Sequence, residues 1–262
     1  MELGLTGRRA VVTGGSKGIG YAVADELLTE GAAVAVCSRT AAELADAAAA
    51  LRAAHPGATV VDVVADVTDA GAVDTLMREA ADRLGGIDVL VNNAGGAHPG
   101  NFETLSDDDW RADLDVKLFS QIRCFRSALP FLRASESPRV INVNAVYGKY
   151  PDPAFFATTV IRAACLNLNK VLAQEFGAER VLVNSVNIGF VDTPQWENIR
   201  ARRAPDSTKD EFFARLAEQE VPLRRFGTVD EVSGLVAFLA SARASYITGA
   251  TIDVAGGMGK YV

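Results

Sequence analysis

Thr13-Gly14-Gly15-Ser16-Lys17-Gly18-Ile19-Gly20 closes a short apolar run at residues 9–12 and opens a stretch with helical spacing at 19–29. A glycine triplet at a strand-to-helix turn has physical uses that a glycine-rich loop elsewhere lacks. Gly14 permits the tight turn, Gly18 lets the backbone approach a pyrophosphate, and Gly20 lets helix and strand pack closely. Ser16 and Ile19 fill the turn between them. The helix N-terminus then faces an anion, so a dinucleotide is the ligand this turn points to.

Outward from that turn, two patterns alternate along the chain. Apolar runs rich in Val, Ala and Ile at 9–12, 33–37, 59–64, 87–91, 139–143, 181–186 and 250–254 read as strands buried on both faces. Between them, residues 19–29, 41–54, 70–84, 107–132, 163–176 and 229–240 carry helical spacing. This cadence predicts an α/β fold: one Rossmann-type, doubly wound parallel sheet of about seven strands, helices on both faces, and a single domain over 1–262. Residues 192–222 break the cadence with Pro194, Trp196 and several charges, and are expected to form a lid at the carboxyl edge of the sheet.

Composition excludes several classes. Of 262 residues, 49% are hydrophobic and 23% charged, a globular balance. The net charge of −7 offers no basic excess to nucleic acid or an anionic membrane. No apolar run approaches a membrane span, and the start, MELGLTGRR, lacks the apolar centre of a secretory signal, so a cytoplasmic protein is expected. Cys37, Cys124 and Cys165 are odd in number and widely spaced, which argues against a disulfide frame and a zinc site, and two histidines are too few for a metal centre.

Cofactor choice is written after the second strand. An acid there would hold a ribose diol; this chain has Ser38 and Arg39, with Lys17 nearby, a set that attracts a 2′-phosphate. NADP(H) is therefore expected over NAD(H).

Residues 13–20, Asp66-Val67, Asn92-Asn93-Ala94-Gly95, Pro222-Leu223-Arg224-Arg225-Phe226-Gly227 and the closing Thr248-Gly249 to Gly256-Gly257 resemble the short-chain dehydrogenase/reductases over essentially the whole chain. The resemblance implies that Asp66 and Val67 contact the adenine and that Asn93, Ala94 and Gly95 line the ribose side. It also implies that 187–193 holds the carboxamide with Thr193 as hydroxyl partner. Tetramers are common in the family, and Phe119, Ile122, Phe125, Leu129 and Leu132, with 254–262, are the expected contact faces.

The family's Asn, Ser, Tyr and Lys positions are Lys117, Ala145, Thr158 and Arg162 here, so all four identities are changed. A threonine hydroxyl cannot replace a tyrosine as proton donor, and an arginine is no proton relay. Four residues are candidates for a rebuilt site: Tyr147 as acid, since in the dienoyl-CoA reductase branch a Tyr at that place has this role; Arg162 and Lys117 as cations for an oxyanion, Arg162 also touching the cofactor; and Asn144 as an oxyanion donor. The expected activity is NADP(H)-dependent reduction of a small carbonyl compound or conjugated enone. The alternatives are a nucleotide-binding protein without hydride transfer, or a non-redox enzyme using the same cleft.

Overall fold

The computed structural model describes residues 2–96 and 98–259. The chain alternates β1 (Arg9–Thr13), α1 (Gly18–Thr29), β2 (Ala33–Ser38), α2 (Ala41–Ala54), β3 (Val60–Val64), α3 (Ala70–Leu84) and β4 (Val89–Asn92). It continues with α4 (Asp107–Leu114), a π-helical segment (Asp115–Phe119), α5 (Ser120–Ala134), β5 (Arg139–Ala145), α6 (Phe156–Phe176) and β6 (Leu182–Ile188). Helices α7 (Pro194–Arg203), α8 (Lys209–Glu220) and α9 (Val229–Ala240) precede β7 (Thr251–Val254).

All seven strands are parallel, in the order β3-β2-β1-β4-β5-β6-β7. Alternate side chains of each strand feed two apolar layers. Ala10 and Val12 of β1 meet Val23, Leu44 and Val232 from α1, α2 and α9, whereas Val11 meets Leu76, Phe125 and Ala173 from α3, α5 and α6. That is why the strands read as continuous apolar runs: neither face sees water. The order reverses direction between β1 and β4, and a ligand crevice opens beyond the carboxyl ends of the strands at such a point.

Two helices differ from the sequence reading. The stretch expected to be one helix at 107–132 is interrupted by the π segment, which turns Lys117 inward. Helix α6 starts at Phe156, seven residues before the expected 163. The run Thr158-Thr159-Val160-Ile161 has weak helix propensity, but Thr158 Oγ1 donates to Asp113 (3.0 Å) and Thr159 Oγ1 to the Asp152 carbonyl (3.3 Å). Tertiary bonding overrides the local preference.

Of the five residues expected on an oligomer face, Phe125 and Leu132 are buried in the chain's own core, while Phe119 remains exposed. The second expected face, 254–262, runs past the described residues at 260–262. Cys37, Cys124 and Cys165 are free and buried. Among the described residues no helix is long and apolar enough to cross a membrane.

Candidate active site

A cleft runs along the carboxyl edge of the sheet from the β1–α1 turn to α7. At its first end, a Cβ on Gly20 would lie 2.2 Å from the Gly14 carbonyl oxygen, and one on Gly14 would lie 2.9 Å from Ala94 Cα. Only glycine fits either place. The Asn93 amide donates to the carbonyls of Thr13 and Gly14, and Thr13 Oγ1 accepts from the backbone N–H groups of Asn93 and Ala94. Asn93 thus clasps the turn, while Ala94 and Gly95 line the cleft. Lys17 caps α1 with no side-chain acceptor, which leaves the first helical N–H groups to an anion.

Ser16, Gly18, Ile19, Ser38, Arg39, Asp66, Val67 and Thr193 all line this part of the cleft. Asp66 Oδ1 accepts from the Thr68 backbone and hydroxyl, which fixes the carboxylate. The expected role of Lys17 needs correction. Its ammonium is paired with Glu43 (3.0 and 3.1 Å) at the exposed rim of the cleft, so Lys17 is not the free cation the sequence suggests. With that adjustment, the uncapped helix start, the glycine cradle and the Ser38/Arg39 pair fit a phosphorylated nicotinamide dinucleotide.

The four candidate catalytic residues separate in the middle of the cleft. Arg162 lines it, with Nη1 donating to Asn144 Oδ1 (2.9 Å) and the Val143 carbonyl (3.1 Å), while Nε has no partner among the described residues. A Cβ on Gly95 would stand 3.3 Å from Arg162 Nη2, so this glycine makes room for the guanidinium. Burial works against the Arg162 charge, partly offset by Cys165 and Asp113.

Asn144 is not the expected oxyanion donor. Its Oδ1 accepts from Arg162 and Gln121 (3.3 Å) and its Nδ2 donates to Ser185 (2.9 Å), so it holds Arg162 in place. Tyr147 lines the cleft and stacks on Phe155 (centroids 5.1 Å apart), but burial and the neighbouring Asp152 carboxylate push its phenol far above the ordinary value. That makes Tyr147 a poor acid. Lys117 does not reach the cleft: it is 1% exposed and bonded to Asp113, which also accepts the Thr158 hydroxyl. Burial pulls the Lys117 ammonium down to about 8, against the pull of Asp113.

The sequence reading missed Asp113 and His98, which both line the cleft. Asp113, 2% exposed, joins Lys117 and Thr158, and the His98 ring lies 3.3 Å from Asp109 and 3.9 Å from Asp113. The i to i+4 spacing of Asp113 and Lys117 was a usable signal; nothing local marks His98. The far end of the cleft is covered by 192–222, folded as α7 and α8 around Phe190, Trp196, Ile199, Phe212 and Phe226.

The chain is similar to several known proteins. The family described as Enoyl-(Acyl carrier protein) reductase matches residues 14–259. A 3-oxoacyl-(acyl-carrier-protein) reductase from Synechocystis is 34% identical over 255 residues, 97% of this chain and 98% of the relative. The NADPH-bound structure of a short chain oxidoreductase from Pseudomonas aeruginosa PAO1, described as containing an atypical catalytic center, is 38% identical, covers 97% of both chains and has a TM-score of 0.90. L-sorbose reductase from Gluconobacter frateurii, complexed with NADPH and L-sorbose, is 30% identical over 100% of both chains with a TM-score of 0.96. The chain belongs to the short-chain dehydrogenase/reductase family, and several of its relatives are named reductases.

Proposed function

We propose that this chain is an NADP(H)-dependent reductase of small conjugated or otherwise activated carbonyl compounds, working through a rebuilt site. The observation that carries the reading is Arg162, a cation held in the cleft by Asn144 and the Val143 carbonyl where the family has its lysine. NADPH-bound relatives and the Ser38/Arg39 pair support the cofactor, and the P. aeruginosa relative's atypical center supports an unusual site.

When bound, NADPH supplies the hydride. On attack at the β-carbon of an enone, negative charge gathers on the carbonyl oxygen as an enolate, and Arg162 offers it a fixed positive charge in a water-poor setting. An enolate can take its proton at carbon in a later step, which demands less of the site than immediate protonation of an alkoxide. His98 faces the cleft with its ring 3.3 Å from Asp109 and 3.9 Å from Asp113, which places a side chain able to donate a hydrogen bond beside the reacting region.

The test is NADPH oxidation by purified protein with 2-cyclohexenone and, separately, cyclohexanone. The enone is expected to be reduced and the ketone slowly or not at all, with Arg162→Ala lowering the enone rate on the order of a hundred-fold. Equal rates on the two compounds, or an unchanged rate in Arg162→Ala, would remove this mechanism.

A further inference from the structure

Beyond the dinucleotide crevice the cleft is lined by an apolar stretch made by Tyr147, Phe155, Phe190, Trp196, Ile199 and Met258, here called the chamber. A side cavity of about 110 Å3 adjoins it and shares Gln195 and Ile199 with it. The remaining walls of that cavity are Pro99, Asn198, Arg202 and Arg203, so two guanidiniums and two carboxamides border it from the exposed face of α7.

The ion pairing of these arginines is unlike that of their neighbours. Arg200 is claimed by Glu197 and the Ser207 carbonyl, and Lys209 by Asp192. Among the described residues no carboxylate lies within 4.0 Å of Arg202 or Arg203. Arg203 sits 5.1 Å above the Phe155 ring, which itself stacks on Tyr147, so it borders the chamber wall. The acids that act on Tyr147 are Asp152, bonded to it, and Glu220, and neither pairs with Arg203.

Guanidinium forks match the paired oxygens of a carboxylate or phosphate, and a carboxamide can add a donor to the same oxygens. We propose that Arg202 and Arg203, with Gln195 and Asn198, form an oxyanion-binding subsite. The substrate is then a carbonyl compound with an apolar or aromatic body and an anionic group remote from the reacting carbon. This rests on the proposed reductase reading and narrows it to a substrate class. The chamber takes the apolar body and α7 takes the charge.

The test separates the two ideas. Protein saturated with NADPH is titrated calorimetrically with 4-oxo-4-phenylbutanoate and with its methyl ester, which differ in charge but little in shape. The acid is expected to bind about ten-fold or more tighter, and in Arg202→Gln/Arg203→Gln the ratio should fall to near one. Both side chains are exposed, so the variant should keep its fold, and an unchanged melting temperature checks that. The corresponding phosphonate, run beside the acid, tells which oxyanion is preferred. Equal binding of acid and ester, no binding of either, or a preference that survives in the variant overturns the subsite. NADPH oxidation with the unsaturated acid, 4-oxo-4-phenylbut-2-enoate, is read separately. Tight, arginine-dependent binding without turnover leaves the subsite standing and removes the reductase reading instead.

Discussion

Asp113 is the residue on which the centre of the site turns, because Lys117 and Thr158 both donate to a carboxylate that is 2% exposed. Lys117 is enclosed, so its ammonium depends on Asp113 for a partner. Removing one partner of such a pair strands the other, at a typical cost of about 3–5 kcal/mol, whereas replacing both with apolar groups is often neutral. Lys117→Met should therefore lower the melting temperature sharply, and adding Asp113→Leu should recover much of the loss. A double-mutant cycle by thermal unfolding measures this; equal losses for the single and double variants would contradict the coupling.

Among the elements, the strands and most helices were legible in the sequence because each obeys one period. Helix α2 is 41–54 and α3 is 70–84 in both readings, and each lays one apolar stripe on the sheet. The π segment was not legible, since Asp115–Phe119 differs from helix by one displaced hydrogen bond per residue and carries no unusual residue types. For the same reason Lys117 could be placed on the right helix but not on the right side of Asp113. The positions of Arg162 and the cofactor turn were legible because motifs count residues; the contacts of Asn144 and Tyr147 were not, since they depend on Ser185 and Asp152, brought up by other parts of the fold. Helix α8 carries a prediction of its own. Thr208 and Glu211 form a reciprocal cap at its start, each accepting from the other's backbone N–H. Thr208→Ala should destabilise the helix by about 1 kcal/mol, read as a lower urea midpoint. No change in the midpoint would mean that α8 unfolds independently of the sheet.

At the scale of the molecule, the amino edge of the sheet is locked by Asp88 between Arg9 and Ser135 (2.7 and 2.6 Å). Burial alone would raise this carboxyl, but the Arg9 guanidinium, the Ser135 hydroxyl and the nearby Arg8 hold it at about 2, below its ordinary 3.8. The folded state thus binds the proton less readily than the unfolded chain. The stability from Asp88 is present above pH 4 and is lost as pH falls through 2, by about 2 kcal/mol. Asp88→Asn should be less stable at pH 7 and should flatten that acid limb in melts between pH 2 and 5; an unchanged slope would assign the acid sensitivity elsewhere.

The three thiols have a consequence for chemistry. Cys37, Cys124 and Cys165 are enclosed, and burial pushes each thiol up, Cys37 to about 11, so little thiolate forms at neutral pH. Soft electrophiles alkylate the thiolate and not the thiol, so burial that suppresses the thiolate also suppresses alkylation. Cys37 and Cys124 lie in the layer with α3 and α5 and Cys165 in a small cluster on α6, so each thiol is enclosed and slow to react with soft electrophiles.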